Sequence, residues 1–123
     1  MTISIKLRPP YSIIFIEDQD SADVPEFDPD SLVSYNKSSI LVGCACEADA
    51  DTNIIFGWKH EVDNGTEPVF EHYISTKSKI IAIRTAEQEI ITQKKLQTTK
   101  TKIVIWANDP SEPDEIRIGI VKE

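Results

Sequence analysis

Two cysteines and two histidines are the side chains of this chain best suited to bind a soft metal ion or to transfer protons. Cys44 and Cys46 are separated by one residue, and His60 and His72 follow at spacings that do not match the paired ligands of a zinc site. On an extended strand the two cysteines point to the same face, where a disulfide would be strained. We therefore expect two reduced, largely buried thiols, no metal and no other cofactor.

The two histidines raise the possibility of general acid–base catalysis, as in a ribonuclease. However, they have acidic neighbours, namely Glu61, Asp63 and Glu71, which would repel a phosphate substrate. The sequence has four glycines and shows neither a phosphate-binding glycine loop nor a nucleophile elbow. It therefore predicts a protein that is not an enzyme and has no catalytic residues.

The acidic residues are concentrated in two segments. Residues 17–30 contain seven acids, two prolines and no base, with Val24 directly before the first proline and Phe27 between the two. Residues 109–115 contain four more acids around two further prolines. Such segments are often only solvated loops, but they would also present carboxylates and an apolar anchor to a basic groove. The predicted partner-binding residues are Glu17, Asp18, Asp20, Asp23, Glu26, Phe27, Asp28, Asp30, Asp109, Glu112, Asp114 and Glu115.

The overall charge of the chain restricts the class of its partner. The formal net charge is −8, which disfavours direct binding to nucleic acid or to an anionic membrane surface and favours a basic protein. No run of residues approaches the ~20 apolar residues that span a bilayer. The first residues alternate between apolar and polar instead of forming a signal peptide. We therefore expect a cytoplasmic protein.

The elements that must position these residues are predicted to be short strands. The chain has 19 isoleucines against four leucines, and β-branched side chains favour a pleated sheet. The alternating segments are separated by turn residues and predict an all-β protein, an antiparallel β-sandwich of about eight or nine strands forming one domain over residues 1–123. Residues 30–35 could add one helical turn capped by Asp30. The predicted strands cover residues 2–7, 12–17, 40–46, 53–59, 69–76, 79–84, 89–93, 101–107 and 115–121.

The order of these elements resembles a known family. The pattern consists of a short alternating strand (Ile3-Ser4-Ile5), a second strand (Tyr11-Ser12-Ile13-Ile14-Phe15), an acidic loop, two central strands, and a late strand (Ile103-Val104-Ile105-Trp106-Ala107) before the terminal one. It is similar to the small acidic β-sandwich proteins of the competence-protein J type, which implies a nuclease inhibitor. It also resembles bacterial immunity proteins that neutralise nuclease toxins in contact-dependent growth inhibition.

Two functions follow as expectations from the sequence. The first is an immunity or inhibitor protein that occludes the active site of a basic nuclease toxin, an RNase or a DNase, with its acidic surface. The alternative is a structural β-sandwich that forms homo-oligomers or pairs through a sheet edge, without inhibitor activity. In that case we expect the terminal strands, residues 2–7 and 115–121, to be the exposed edges.

Overall fold

In the described part of the chain, residues 2–46, 48 and 50–121 of a computed structural model, the regular secondary structure is almost entirely β-strand. These residues form ten strands, one helix of a single turn, α1 (Lys59–Val62), and a 3₁₀ turn before the second strand. Among them, no helix is long and apolar enough to cross a membrane. In chain order the strands are β1 (Ile3–Leu7), β2 (Ile13–Asp18), β3 (Val33–Tyr35), β4 (Ser39–Gly43), β5 (Thr52–Trp58), β6 (Phe70–Ser75), β7 (Ile80–Thr85), β8 (Ile90–Lys95), β9 (Lys100–Ala107) and β10 (Glu115–Ile120).

The strands form two five-stranded sheets. The first sheet has the order β1-β5-β10-β9-β6 and the second has the order β3-β4-β2-β7-β8. Neighbouring strands are antiparallel except β5 and β10, which are parallel. Buried side chains from both sheets form one apolar core between them. The predicted all-β, antiparallel sandwich is confirmed, with a short tenth strand added.

The alternation of isoleucine builds this core. In β10, Ile116, Ile118 and Ile120 all point inward and are buried. In β2, Ile14 and Ile16 do the same from the second sheet. Because side chains alternate between the faces of a strand, the residues between these isoleucines lie on the outer faces of the sheets.

Two expectations about individual elements are wrong. The chain's last strand, β10, is not an exposed edge, because it lies between β5 and β9 in the first sheet. The segment 30–35 does not form a capped helical turn, because Val33–Tyr35 pairs with β4 as the edge strand of the second sheet. By contrast, β1 is an edge strand as predicted.

The outer face of the first sheet is covered by the segment that follows β5. Trp106 Nε1 donates a hydrogen bond to the carbonyl oxygen of Thr66 at 3.0 Å, and Arg117 Nη1 donates to the carbonyl oxygen of Val62 at 3.1 Å. Helix α1 passes so close to β10 that a Cβ built on Gly119 would lie 3.0 Å from the Cα of Lys59. The absence of a side chain at Gly119 therefore permits this contact.

The outer face of the second sheet is covered by residues 19–32, which connect β2 to β3. Leu32 lies against Gly43, since its Cδ1 would be 3.5 Å from a Cβ built there, and its carbonyl oxygen accepts a hydrogen bond from the Gly43 N–H at 3.0 Å. Pro25 is buried in this connection. Phe15, Leu41 and Ala82, which point to this outer face, are also buried. The connection is thus held against the sheet at Leu32 and contributes the buried Pro25.

Candidate partner-binding surface

Glu17 and Asp18 do not lie in an exposed loop, so this part of the sequence prediction is wrong. They end β2 and are only 6% and 4% exposed. Glu17 Oε2 accepts a hydrogen bond from Arg84 Nη1 at 2.5 Å, and Glu17 Oε1 accepts one from Ser39 Oγ at 2.8 Å. Asp18 Oδ1 accepts from the backbone N–H and the hydroxyl of Ser78 at 3.0 and 2.7 Å. Buried carboxylates need such internal partners because they have lost water.

The remaining acids of the segment lie in residues 19–32, here called the acidic loop. Its start is fixed to the sandwich by two contacts. Arg84 Nη2 donates to the carbonyl oxygen of Gln19 at 2.9 Å, and the hydroxyls of Ser21 and Ser38 are 2.8 Å apart. The guanidinium that pairs with Glu17 inside the sheet therefore also holds the first residue of the loop.

The middle of the acidic loop is held along β3. Asn36 Nδ2 donates to the carbonyl oxygen of Asp23 at 3.3 Å, and the N–H of Asp28 donates to Ser34 Oγ at 3.4 Å. Asp28 also closes a turn, since its Oδ1 accepts from the N–H of Asp30 at 2.9 Å. With its backbone tied down in this way, the loop holds its side chains in defined places.

The acidic loop exposes both charge and apolar surface. Two large apolar side chains, Val24 and Phe27, are 63% and 62% exposed. Apolar side chains surrounded by carboxylates can serve as anchors for a basic partner. The exposed acids of the loop are Asp20, Asp23, Glu26, Asp28 and Asp30.

The second acidic segment is the connection between β9 and β10. Hydrogen bonds from the backbone N–H groups of Glu112 and Ser111 lower the pKa of Asp109. Asp114 Oδ1 accepts from Asn108 Nδ2 at 2.6 Å, and Glu115 forms an ion pair with Arg117 at 3.3 Å. The carboxylates of Asp109 and Asp114 thus shape their own turn, that of Glu115 pairs within β10, and Asp109, Glu112 and Asp114 are all exposed.

The structure brings the two acidic segments together only in part. The carbonyl oxygen of Pro113 accepts from the N–H of Ala45, just after β4, and Leu32 at the end of the acidic loop bonds to Gly43 nearby. The start of the loop lies at the opposite end of these strands, beside Ser38 in the turn between β3 and β4. A single partner can therefore cover the whole acidic loop more easily than it can cover both the loop and the complete connection between β9 and β10.

An aromatic cluster lies next to the acidic loop at the junction of the two sheets. The rings of Tyr35 in β3 and His72 in β6 are stacked, with centroids 4.8 Å apart and an interplanar angle of 23°. Tyr35 also meets Phe70 edge-on at 5.1 Å. Tyr35 belongs to the segment 30–35, for which the sequence predicted a helical turn, and instead ends the edge strand β3. No sequence signal reveals its pairing with His72, because the two residues belong to different sheets.

The cysteines and histidines do not assemble into a site. Within residues 2–46, 48 and 50–121, no group of three or more His, Cys, Asp or Glu side chains could hold a metal ion. Both cysteines are free, Cys44 buried and Cys46 partly so. Burial raises the pKa of the Cys44 thiol to about 12. His60 is exposed on α1, while His72 is part of the aromatic cluster.

Comparison with known proteins gives a likeness in fold without a likeness in sequence. No protein-family model and no curated protein matches the chain. The crystal structure of ComJ from Bacillus subtilis, an inhibitor of the DNA-degrading activity of NucA, superposes with a TM-score of 0.60 at 14% identity, covering 98% of this chain and 96% of ComJ. A structure described as Crocagin biosynthetic gene J gives 0.53 at 7% identity, covering 99% of this chain and 96% of the other.

These likenesses show the fold and extend over nearly the whole chain. The resemblance to inhibitors of the competence-protein J type is therefore supported at the level of the fold. The first of these neighbours is an inhibitor of an enzyme and not itself described as an enzyme. A common fold does not by itself transfer a partner or a set of contact residues.

Proposed function

We propose that this chain is a cytoplasmic inhibitor that binds a basic nuclease and blocks its active site with the acidic loop. The observation that carries the proposal is the loop itself, a fixed segment that exposes five carboxylates and two apolar side chains. Carboxylates spaced along such a segment resemble a nucleic-acid phosphate chain in charge and compete for the same cationic groove. The fold likeness to ComJ, an inhibitor of a nuclease, gives independent support.

The surface of the chain is large enough for such a complex. A stable complex of standard size takes about 800 Å² from each partner. The solvent-accessible surface of this chain is 6643 Å², so the interface would use roughly one-eighth of it. The loop and the strand beside it would supply the centre of this area. The connection between β9 and β10 enters the proposal only as a second contact, near the Leu32 end of the loop.

A capture experiment with an activity readout tests the proposal. The tagged chain is incubated with lysate of its source cells at low salt, the column is eluted by a salt step, and the eluate is assayed for degradation of DNA and of RNA. We expect one basic protein with nuclease activity, which purified chain added back in excess suppresses. ComJ with NucA serves as the reference pair.

Two results would overturn the proposal. One is the absence of nuclease activity from every salt fraction. The other is a captured nuclease whose activity is unchanged by a saturating amount of the chain. Sedimentation at several concentrations, run in parallel, tests the assembly alternative through the edge strand β1, which requires self-association without any partner.

A further inference from the structure

The stacked pair of Tyr35 and His72 offers a rigid aromatic surface beside the acidic loop. Tyr35 is 48% exposed although its ring is stacked on that of His72 and makes a T-shaped contact with that of Phe70. Its hydroxyl lies 3.4 Å from His72 Nε2. An exposed tyrosine held by three such contacts loses little conformational freedom when a partner covers it.

The backbone at the junction of the two sheets fixes this aromatic surface further. The N–H of Ser75 in β6 donates to the carbonyl oxygen of Lys37 at 2.6 Å, joining the first sheet to the turn between β3 and β4. Tyr35 and His72 therefore belong to strands that are bound to each other across the sandwich. Their relative position is determined by the fold and not by the partner.

Strand β3 brings this surface next to the acidic loop. The residues before and after Tyr35 each bond to the loop, Ser34 through the N–H of Asp28 and Asn36 through the carbonyl oxygen of Asp23. Because side chains alternate along a strand, Tyr35 lies on the core side of β3, opposite to Ser34, and its pairing partner Ile40 is buried in the core. A partner that covers the loop segment between those two bonds, which carries Val24 and Phe27, therefore reaches the Tyr35 ring by extending over the edge strand. Interfaces commonly combine an aromatic centre with a charged rim in this way.

We infer that the partner-binding surface extends from the acidic loop over β3, and that a cationic side chain of the partner lies on the exposed part of the Tyr35 ring. This inference rests on the proposed function, because the five exposed acids of the loop select a basic protein as the occupant. A guanidinium or ammonium group on a tyrosine face is held by the ring quadrupole. Tyr35 then acts as an anchor of the complex, while the acids steer the encounter.

The test uses the nuclease recovered by salt elution, immobilised, and three variants of the full chain. Tyr35→Leu keeps an apolar side chain against Phe70 but has no aromatic face, and Tyr35→Phe keeps the face without the hydroxyl. Tyr73→Ala is the control, since Tyr73 is similarly exposed at 44% but points to the outer face of the first sheet. Thermal unfolding of each variant confirms that it is folded.

We expect Tyr35→Leu to bind at least about 30-fold more weakly, mainly through faster dissociation. Tyr35→Phe and Tyr73→Ala should stay within about threefold of the unchanged chain. Equal affinities of Tyr35→Leu and the unchanged chain would refute the role of Tyr35 while leaving the acidic-loop proposal intact. Failure to recover any nuclease refutes the proposed function, and this inference with it.

Discussion

Cys44 shows how burial changes the chemistry of a single side chain. Its thiol lies in the core, where burial raises its pKa to about 12. At about pH 8 only roughly one thiol in ten thousand is then ionised, and the thiolate is the reactive form. Cys46 is only partly buried.

We therefore expect iodoacetamide to modify Cys46 and spare Cys44 in the folded protein near pH 8, as read by mass spectrometry of the peptide that contains both. In denaturant both should react. Because the pKa of the Cys44 thiol is raised from 9.0 to about 12 in the folded state, the folded protein holds this proton more strongly than the unfolded chain does. The stability gained from the bound proton is present below about pH 9 and is lost between about pH 9 and 12. Equal modification of the two cysteines in the folded protein would contradict this account.

The ion pair of Glu17 and Arg84 is the second residue-scale feature that can be tested. The two side chains are only 8% and 12% exposed. Removing one member of a buried pair leaves an uncompensated charge and costs about 3–5 kcal/mol.

We expect Arg84→Met to lower the free energy of unfolding, measured in urea, by about this amount. The double variant Arg84→Met with Glu17→Gln should lose less, because no charge stays unpaired. A double variant less stable than the single one would show that the charge is not the dominant factor.

The same pair explains what residue patterns could and could not predict about the site. The density of acids correctly indicated that Asp20, Asp23 and Glu26 are exposed. It gave no sign that Glu17 is internal, because its partner Arg84 is 67 residues away in sequence. A run of acids looks the same in a sequence whether its first members end a strand or begin a loop.

At the scale of elements, the contact between α1 and β10 depends on Gly119. A Cβ at this position would lie 3.0 Å from Lys59 Cα, 3.1 Å from Trp106 Cζ3 and 3.2 Å from Val62 Cγ2. The first of these atoms is backbone, so the helix itself must move to accept a methyl group. Overpacking of this kind typically costs about 1–3 kcal/mol.

We expect Gly119→Ala to lower the free energy of unfolding by about that amount in a denaturant titration. Gly43→Ala is the matched control, because it also adds one methyl group in a strand, yet its nearest neighbour, Leu32 Cδ1, is at an ordinary contact distance of 3.5 Å. The control should change stability by less than about 1 kcal/mol. Similar losses in the two variants would mean that the approach of α1 is not the cause.

The residue pattern of a strand predicts which of its faces is buried better than it predicts which strands pair with it. In β10 the alternate positions Ile116, Ile118 and Ile120, which are apolar in the sequence, are the ones buried in the core. The same pattern could not show that β10 pairs in parallel with β5, since pairing depends on contacts far apart in the chain. The short β3 was missed because its three residues, Val33–Tyr35, are too few to display a period.

For the whole molecule, charge is distributed unevenly across the second sheet. The acidic loop is bound along β3 at one edge, whereas Lys94 and Lys95 lie in β8 at the opposite edge. A distribution of this kind orients the protein as it approaches a charged partner, and it affects the association rate more than the dissociation rate. The position of the acids should therefore matter beyond the net charge.

Two double variants separate position from net charge. Asp23→Lys with Glu26→Lys changes the acidic loop, whereas Glu67→Lys with Glu87→Lys changes two exposed acids outside it, and both shift the net charge of −8 equally. Asp28 is left in place because its carboxylate closes the turn at Asp30.

Against the nuclease recovered by salt elution, we expect the loop variant to associate at least about tenfold more slowly at low salt and the control variant to be affected much less. As salt is raised, the association rates should converge, because screening shortens the reach of the loop's field to about 8 Å at physiological ionic strength. Equal slowing of the two variants would show that net charge, and not the placement of carboxylates on this loop, determines the encounter.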